Sequence, residues 1–338
     1  MGSYLTDRSQ FTYINGANSH YNNMNYGVPQ GSVLGPLLFL IYINDLHQAI
    51  NYSVVHHFAD DTNLLASNYS IKRLQKQINL DLKSLSKWLR ANKISLNASK
   101  TELLIFRHQN KKFNFDLNIK INGKKLTPSL YVKYLGVYID CHLNWNNHVS
   151  ELSTKLSRAC GMLAKIRHYV CHQTLIMIYY GIFSSIMLYG SQIWGQANQT
   201  REIIKKIQNK ALRIINFEHP RSSTNILYRT CKIVKFEDNI KLLNFLFAYD
   251  TYTNNLPTSL CNKLYLVENN HSHCTRSTQH KSFIIPSVRT TVYGSNIIKF
   301  NSVQIWNSLN KKFYFWKLYD QKRKFCKEFI KNHFFESY

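Results

Sequence analysis

The sequence predicts an α+β fold in which short antiparallel strand pairs and two helices give way, after about residue 140, to helices alone. Segments of alternating or β-branched character bounded by turn residues, such as "VVHHFADDTNLLAS" and "LNIKINGKKLT", fall within the first 140 residues. Apolar residues three and four apart recur further on, and 44% of the 338 residues are hydrophobic, enough to fill real cores.

Residues 12–25, rich in Asn, Ser and Tyr, read as strand and loop. In "YGVPQGSVLGPLLFLIYINDL", residues 26–46, the first half is turn chemistry, with Gly27, Pro29, Gly31, Gly35 and Pro36 close together. The second half is a continuous apolar run, predicted to be a buried helix that starts at Pro36. A glycine-rich loop feeding a helix start lets backbone approach a base pair or a phosphate closely. Residues 54–65 predict a hairpin with Asp60 and Asp61 at its tip. Ile71, Leu74, Ile78, Leu82, Leu85 and Leu89 predict an amphipathic helix over residues 70–92. A strand over residues 101–106, a hairpin turning at Asn122 and Gly123, and a strand over residues 132–140, "VKYLGVYID", follow.

Beyond residue 140, Leu152, Leu156, Ala159, Leu163 and Ile166 mark one helix. Ile203, Ile204, Ile207, Ala211, Ile214 and Ile215 mark another. On the second, Arg201, Lys205, Lys206, Lys210 and Arg213 occupy the opposite half of the wheel, either as an ordinary solvated face or as contacts to a nucleic-acid backbone. Residues 173–200 hold no Lys, Arg, Asp or Glu and reach bilayer length, but Ser184, Ser185, Ser191 and Gln192 favour a buried helix or helix pair broken near Gly190. Residues 236–252 read as helix, 261–289 as polar loop, and 318–334 as a basic, aromatic-rich terminal helix. The expected organisation is residues 1–140, 141–220 and 221–338, the last boundary resting on the proline-bearing "FEHPRSS".

Forty-three Lys and Arg against 18 Asp and Glu give a formal charge of +25, a field that favours a polyanion, either nucleic acid or an anionic membrane surface. Seven cysteines without a CxxC point to a reducing compartment. "HSHC" at residues 271–274, with Cys261 and His280, matches no standard zinc spacing and reads as solvated loop. The opening "MGSYLTDRSQ" has no apolar stretch of the secretory kind. Against this basic background, Asp60 and Asp61 stand side by side, and neighbouring carboxylates repel unless a cation sits between them.

"GVPQGSVLGPLLFLIYINDL" and "FADD" together resemble the reverse transcriptases of non-LTR retrotransposons, close to the jockey-like elements of animals. "WLRANKISLNASKTELLIF", "VKYLGVYID" with "LNWNNHV", "MLYGSQIWG", "IQNKALRII" and "IWNSL" are similar to later blocks of that family, in order, so the likeness covers nearly the whole chain. Group II intron enzymes, the alternative relatives, usually carry a different turn block and a tyrosine before the alanine. The resemblance implies an RNA-directed DNA polymerase: the C-terminal half of a polymerase palm, an antiparallel sheet with helices, then a helical thumb and a mostly helical C-terminal region.

It further implies nucleotidyl transfer assisted by two Mg²⁺ ions, or Mn²⁺ in their place, roughly 4 Å apart. Asp60 and Asp61 would be catalytic metal ligands, with Lys100 near the triphosphate. Pro29, Gln30, Gly31, Phe58 and Ala59 would lie against template and incoming nucleotide. The partners implied are an RNA template, a DNA primer and dNTPs, with no membrane and no protein partner, inside the cell in cytoplasm and/or nucleus. The family also places a bridging aspartate on a strand upstream of the turn, and before Asp45 this sequence has only Asp7, in a stretch resembling the block just ahead of the turn. The expectation is therefore a truncated enzyme, inactive alone, or its non-catalytic nucleic-acid-binding remnant, without the fingers, the endonuclease or a ribonuclease H.

Overall fold

Two helices of 21 residues, Ile71–Ala91 and Asn146–Ile166, each organise one of the two units into which the chain folds. A computed structural model describes residues 2–25, 27–29, 31–110, 117–269, 276–290, 293–313 and 323–338. The fold is α+β, and its ladders among these residues are two-stranded, antiparallel except for Leu103–Leu104 with Pro128–Ser129.

The first unit comprises Met1–Ile105 and Asn110–Ser129. Its regular elements include helix α1 (Gly35–Ile43), strands β1 (Val54–Phe58) and β2 (Asp61–Leu65), and helix α2 (Ile71–Ala91). The tight hairpin joining Lys120–Ile121 to Lys124–Lys125 turns through Asn122 and Gly123, both at positive φ, which an Asn-Gly pair adopts readily. Leu82, Leu85 and Leu89 of α2 pack with Leu46, Ile50, Ile119 and Ile121, and Val55 and Leu64 bring the β1–β2 hairpin onto this core.

Helix α1 departs from the sequence expectation of a buried helix. Only Gly35 and Ile43 are buried, while Leu40 is 50% and Ile41 63% exposed. The helix is apolar on every side, so no single face selects the core, and only its two terminal residues are enclosed.

The second unit comprises Phe106–Gln109 and Leu130–Tyr338. Residues 132–140 are not one strand but part of a hairpin, β3 (Tyr131–Tyr134) with β4 (Val137–Asp140). Leu135 and Gly136, both at positive φ, make its turn. After it come α3 (Asn146–Ile166), α4 (Asn198–Ile215), α5 (Phe236–Tyr252), α6 (Ile298–Phe313) and α7 (Arg323–Glu336). The buried Asp140 carboxylate accepts the N–H groups of His142 (2.9 Å), Asn144 (3.2 Å) and Trp145 (2.8 Å), fixing the approach to α3. Along α3 and α4, Cys160 Sγ meets the Ile207 carbonyl and Arg167 the Ile214 carbonyl, both 47 residues apart, so the helices lie parallel.

The charge-free stretch folds as short helical pieces, His172–Ile178, Tyr179–Ser184 and Ser185–Leu188, that bury Leu175, Tyr179, Phe183 and Met187. It breaks at Gly190, whose φ is +61° and where a Cβ would lie 3.2 Å from Val137 Cγ2. No helix among the described residues is long and apolar enough to cross a membrane. Gln208, fully buried, ties the unit together: its Nε2 donates to Tyr179 Oη (2.9 Å) and the Val234 carbonyl (3.0 Å), and its Oε1 accepts the Phe236 N–H (2.8 Å). A second cluster gathers Phe245 and Tyr249 of α5, Trp306 of α6 and Ile330 of α7.

His148, in the first turn of α3, is buried and rests 5.0 Å from the Trp194 ring. Burial, reinforced by Lys155, pushes it down from 6.5 to about 4. Its folded value lies below the unfolded one, so the unfolded chain takes up the proton first and stability drains as pH falls from 6.5 towards 4. Urea unfolding at pH 7 and pH 4.5 should show a loss of about 2 kcal/mol from this group, absent in His148→Gln.

Candidate active site

The carboxylate pair sits on the β1–β2 hairpin. Five pairs hold its register from Val54 with Leu65 to Phe58 with Asp61, leaving Ala59 and Asp60 as the turn. Ala59 has φ +52°, a conformation glycine adopts more easily, at the first turn position. Asp60 and Asp61 are both exposed, and Phe58, directly across from Asp61, is 63% exposed. Because side chains alternate, Val55, His57, Thr62 and Leu64 share one face and Val54, Phe58, Asp61 and Leu65 the other. His57 Nδ1 lies 3.2 Å from Thr62 Oγ1, while its buried Nε2 has no partner among the described residues. Burial, then His47 and His56, holds His57 below its ordinary pKa, which favours the neutral ring.

What aims this hairpin is a residue that sequence reasoning passed over. Asp81 on α2, 1% exposed, receives the N–H groups of Asn51 (3.1 Å), Tyr52 (3.3 Å) and Ser53 (2.8 Å), and the Ser53 hydroxyl (2.7 Å). These three residues immediately precede β1, so the carboxylate fastens the base of the hairpin to the helix. An aspartate in an amphipathic helix looks solvated in sequence, and only its place among the leucines of the inner stripe hinted otherwise.

In the turn before α1, Gly31 has φ +83°. The Pro29 carbonyl accepts the Ser32 hydroxyl (2.8 Å), whose oxygen accepts the Gly35 N–H (3.1 Å). A Cβ on Gly35 would come within 2.8 Å of Ser32 Oγ, so the close approach there requires glycine. Gln30 lies outside the described residues, as does the "HSHC" segment. Lys100 is exposed in a turn built on Asn97, whose carbonyl accepts from Lys100 N and Thr101 Oγ1.

Three of the five basic residues on α4 are engaged within the protein. Arg201 donates to the Gln196 carbonyl, Lys205 pairs with Glu237 (3.3 Å), and Arg213 donates to the Ser222 carbonyl (2.8 Å). Lys206 and Lys210 are exposed and form no ion pair among the described residues.

Residues 2–139, which contain the turn, the hairpin and Asp81, match the family described as "Reverse transcriptase (RNA-dependent DNA polymerase)". This segment is thus similar to reverse transcriptases. The chain is 27% identical over 274 residues to the RNA-directed DNA polymerase from mobile element jockey of Drosophila melanogaster, covering 78% of this chain and 29% of that protein. It is 29% identical to the probable RNA-directed DNA polymerase from transposon X-element of the same species, covering 70% and 27%. A Pol polyprotein from type-1 retrotransposable element R1 of Bradysia coprophila is 24% identical, covering 57% and 19%. The chain spans less than a third of the length of these curated relatives.

Reverse transcriptases are generally metal-dependent, and the donors at the tip suit that chemistry. Mg²⁺ takes one or two carboxylates and completes its shell with water and substrate phosphate, which an exposed Asp60 and Asp61 allow. No group of three or more His, Cys, Asp or Glu that could hold a metal occurs among the described residues. The hairpin tip thus presents two adjacent exposed carboxylates.

Asp81→Ala should leave three N–H groups and a hydroxyl without their acceptor. The expected cost is about 3 kcal/mol in urea unfolding, with faster amide exchange at Asn51, Tyr52 and Ser53. Unchanged exchange at those amides would show that the hairpin is anchored by other contacts.

Proposed function

We propose that the chain carries the carboxylate hairpin and nucleic-acid grip of a non-LTR retrotransposon RNA-directed DNA polymerase, acting on an RNA template, a DNA primer and dNTPs. The observation that carries this reading is the placement of Asp60 and Asp61 at an exposed hairpin tip within the family-matched segment. In it, residues 1–140 are part of the palm, residues 141–220 the thumb, and residues 221–338 a further helical region. Asp60 and Asp61 hold divalent cations, Mg²⁺ or Mn²⁺. The bound metal supplies charge stabilisation for the attacking and leaving oxygens of phosphoryl transfer.

The remaining roles belong to the chain itself. Phe58, exposed beside Asp61, offers a ring against the nucleotide. Ala59, in its left-handed turn, sets the direction of Asp60. Pro29, Gln30 and Gly31 position the template base and incoming nucleotide. Lys100 supplies positive charge to the departing pyrophosphate. Lys206 and Lys210, exposed at the surface, meet backbone phosphates, with Arg201, Lys205 and Arg213 behind them. The net charge of +25 draws the polyanion in. Action in the cytoplasm and/or nucleus goes with six described cysteines that are free thiols.

A second reading, nucleic-acid binding without catalysis, is favoured by the absence of a third carboxylate at the tip among the described residues. The two readings separate in one assay, extension of a DNA primer on an RNA template with Mg²⁺ by this chain and its Asp60→Ala, Asp61→Ala variant. With two carboxylates alone, the expected outcome is salt-sensitive template binding by both proteins and no extension by either. Extension abolished in the variant would establish catalysis by this chain. Absence of template binding would refute both readings.

A further inference from the structure

The parallel pair α3 and α4 leaves an unsatisfied place between its two starts. A cavity of about 160 Å³ is lined by Asn146, Val149, Ser150 and Ser153 of α3, and by Gln199, Thr200 and Ile203 of α4. It holds several times the roughly 30 Å³ that one liquid water occupies. Asn146, Ser150 and Gln199 are exposed at its rim, and Val149 and Thr200 are buried at its floor.

Parallel packing points the positive ends of both helices the same way, with α4 beginning about a turn and a half further along than α3. Neither helix has an acidic residue in its first turn or a side-chain cap. In α4 the first helical bond is Arg201 N–H to the Ala197 carbonyl, so the N–H groups of Asn198, Gln199 and Thr200 find no acceptor among the described residues. In α3 the Asn146 N–H is taken by Asn144 Oδ1 at 3.1 Å.

Side chains add to the demand. Thr200 is 4% exposed, yet its hydroxyl has no hydrogen bond among the described residues. Ser153 Oγ is buried without a partner among the described residues and lines the same cavity. Glu151 and Glu202 do not line it, and Glu202 lies 3.6 Å from Lys205. The lining therefore offers hydroxyl and N–H donors and no carboxylate, the inventory that an oxyanion requires.

We propose that this cavity binds a backbone phosphate of nucleic acid. It rests on the reading that the chain binds nucleic acid, but uses groups other than the lysines of α4. Backbone N–H groups and hydroxyls set the position of a phosphate without regard to base, so the site fixes where a strand lies against the second unit.

The test uses the full chain. Inorganic phosphate is titrated at constant ionic strength while the amides of Gln199 and Thr200 are followed by NMR, and nucleic-acid affinity is measured across a salt series. Two near-isosteric variants accompany it. Gln199→Glu places a carboxylate at the rim, where a helix start tolerates it. Thr200→Val removes the hydroxyl and keeps the shape. The expected result is a saturable phosphate response at both amides, weakened about tenfold or more in Gln199→Glu and less in Thr200→Val. The slope of log affinity against log salt should fall by about 1 in Gln199→Glu.

An unaltered chain that binds nucleic acid, with variants of unchanged slope, would overturn the proposal, whether or not free phosphate enters the cavity. No saturable phosphate response would overturn it too. An unaltered chain that binds phosphate but no nucleic acid would sink the functional reading itself and the assignment to a backbone phosphate with it.

Discussion

The hairpin that carries Asp60 and Asp61 is aimed by one buried carboxylate. Asp81 gathers the N–H groups of Asn51, Tyr52 and Ser53, three successive donors that a free loop would give to water. A two-stranded hairpin alone is marginal in water, so its orientation must be borrowed from a stiffer element. Here that element is α2, and Val55 and Leu64 complete the attachment by packing on its leucine face. The polar clamp sets direction and the apolar contact sets depth.

The second unit solves a similar problem in the same way. Asp140 collects the N–H groups ahead of α3, and Gln208 joins α4 to Tyr179, Val234 and Phe236. In a chain with so large an excess of cations, these buried acceptors are spent on backbone donors. The charge that could serve a nucleic acid stays at the surface, while the interior is fastened by hydrogen bonds, local at Asp140 and long-range at Asp81 and Gln208.

Local pattern made much of this legible. The α2 stripe from Ile71 to Leu89 and the Asn122–Gly123 turn state their conformations within a few residues, and the "FADD" hairpin follows from β-branched runs on either side. The β3–β4 hairpin was hidden because Leu135 occupies a positive-φ position that leucine disfavours. Exposure of α1 was hidden because periodicity describes which face is apolar, and this helix has no other kind. Asp81 and the engaged Arg201, Lys205 and Arg213 were hidden for a further reason: a charged side chain looks solvated until its partner in the fold is known.

Ala59 bears on the stiffness of the tip. An L-residue in the left-handed region costs about 1–2 kcal/mol that glycine would avoid. Glycine, however, would let the turn wander through many backbone states, whereas alanine confines it to few. The register from Val54 to Asp61 over-determines the alanine's conformation. The tip is thus a sprung joint, not a hinge, and the backbone that carries Asp60 has its direction already chosen.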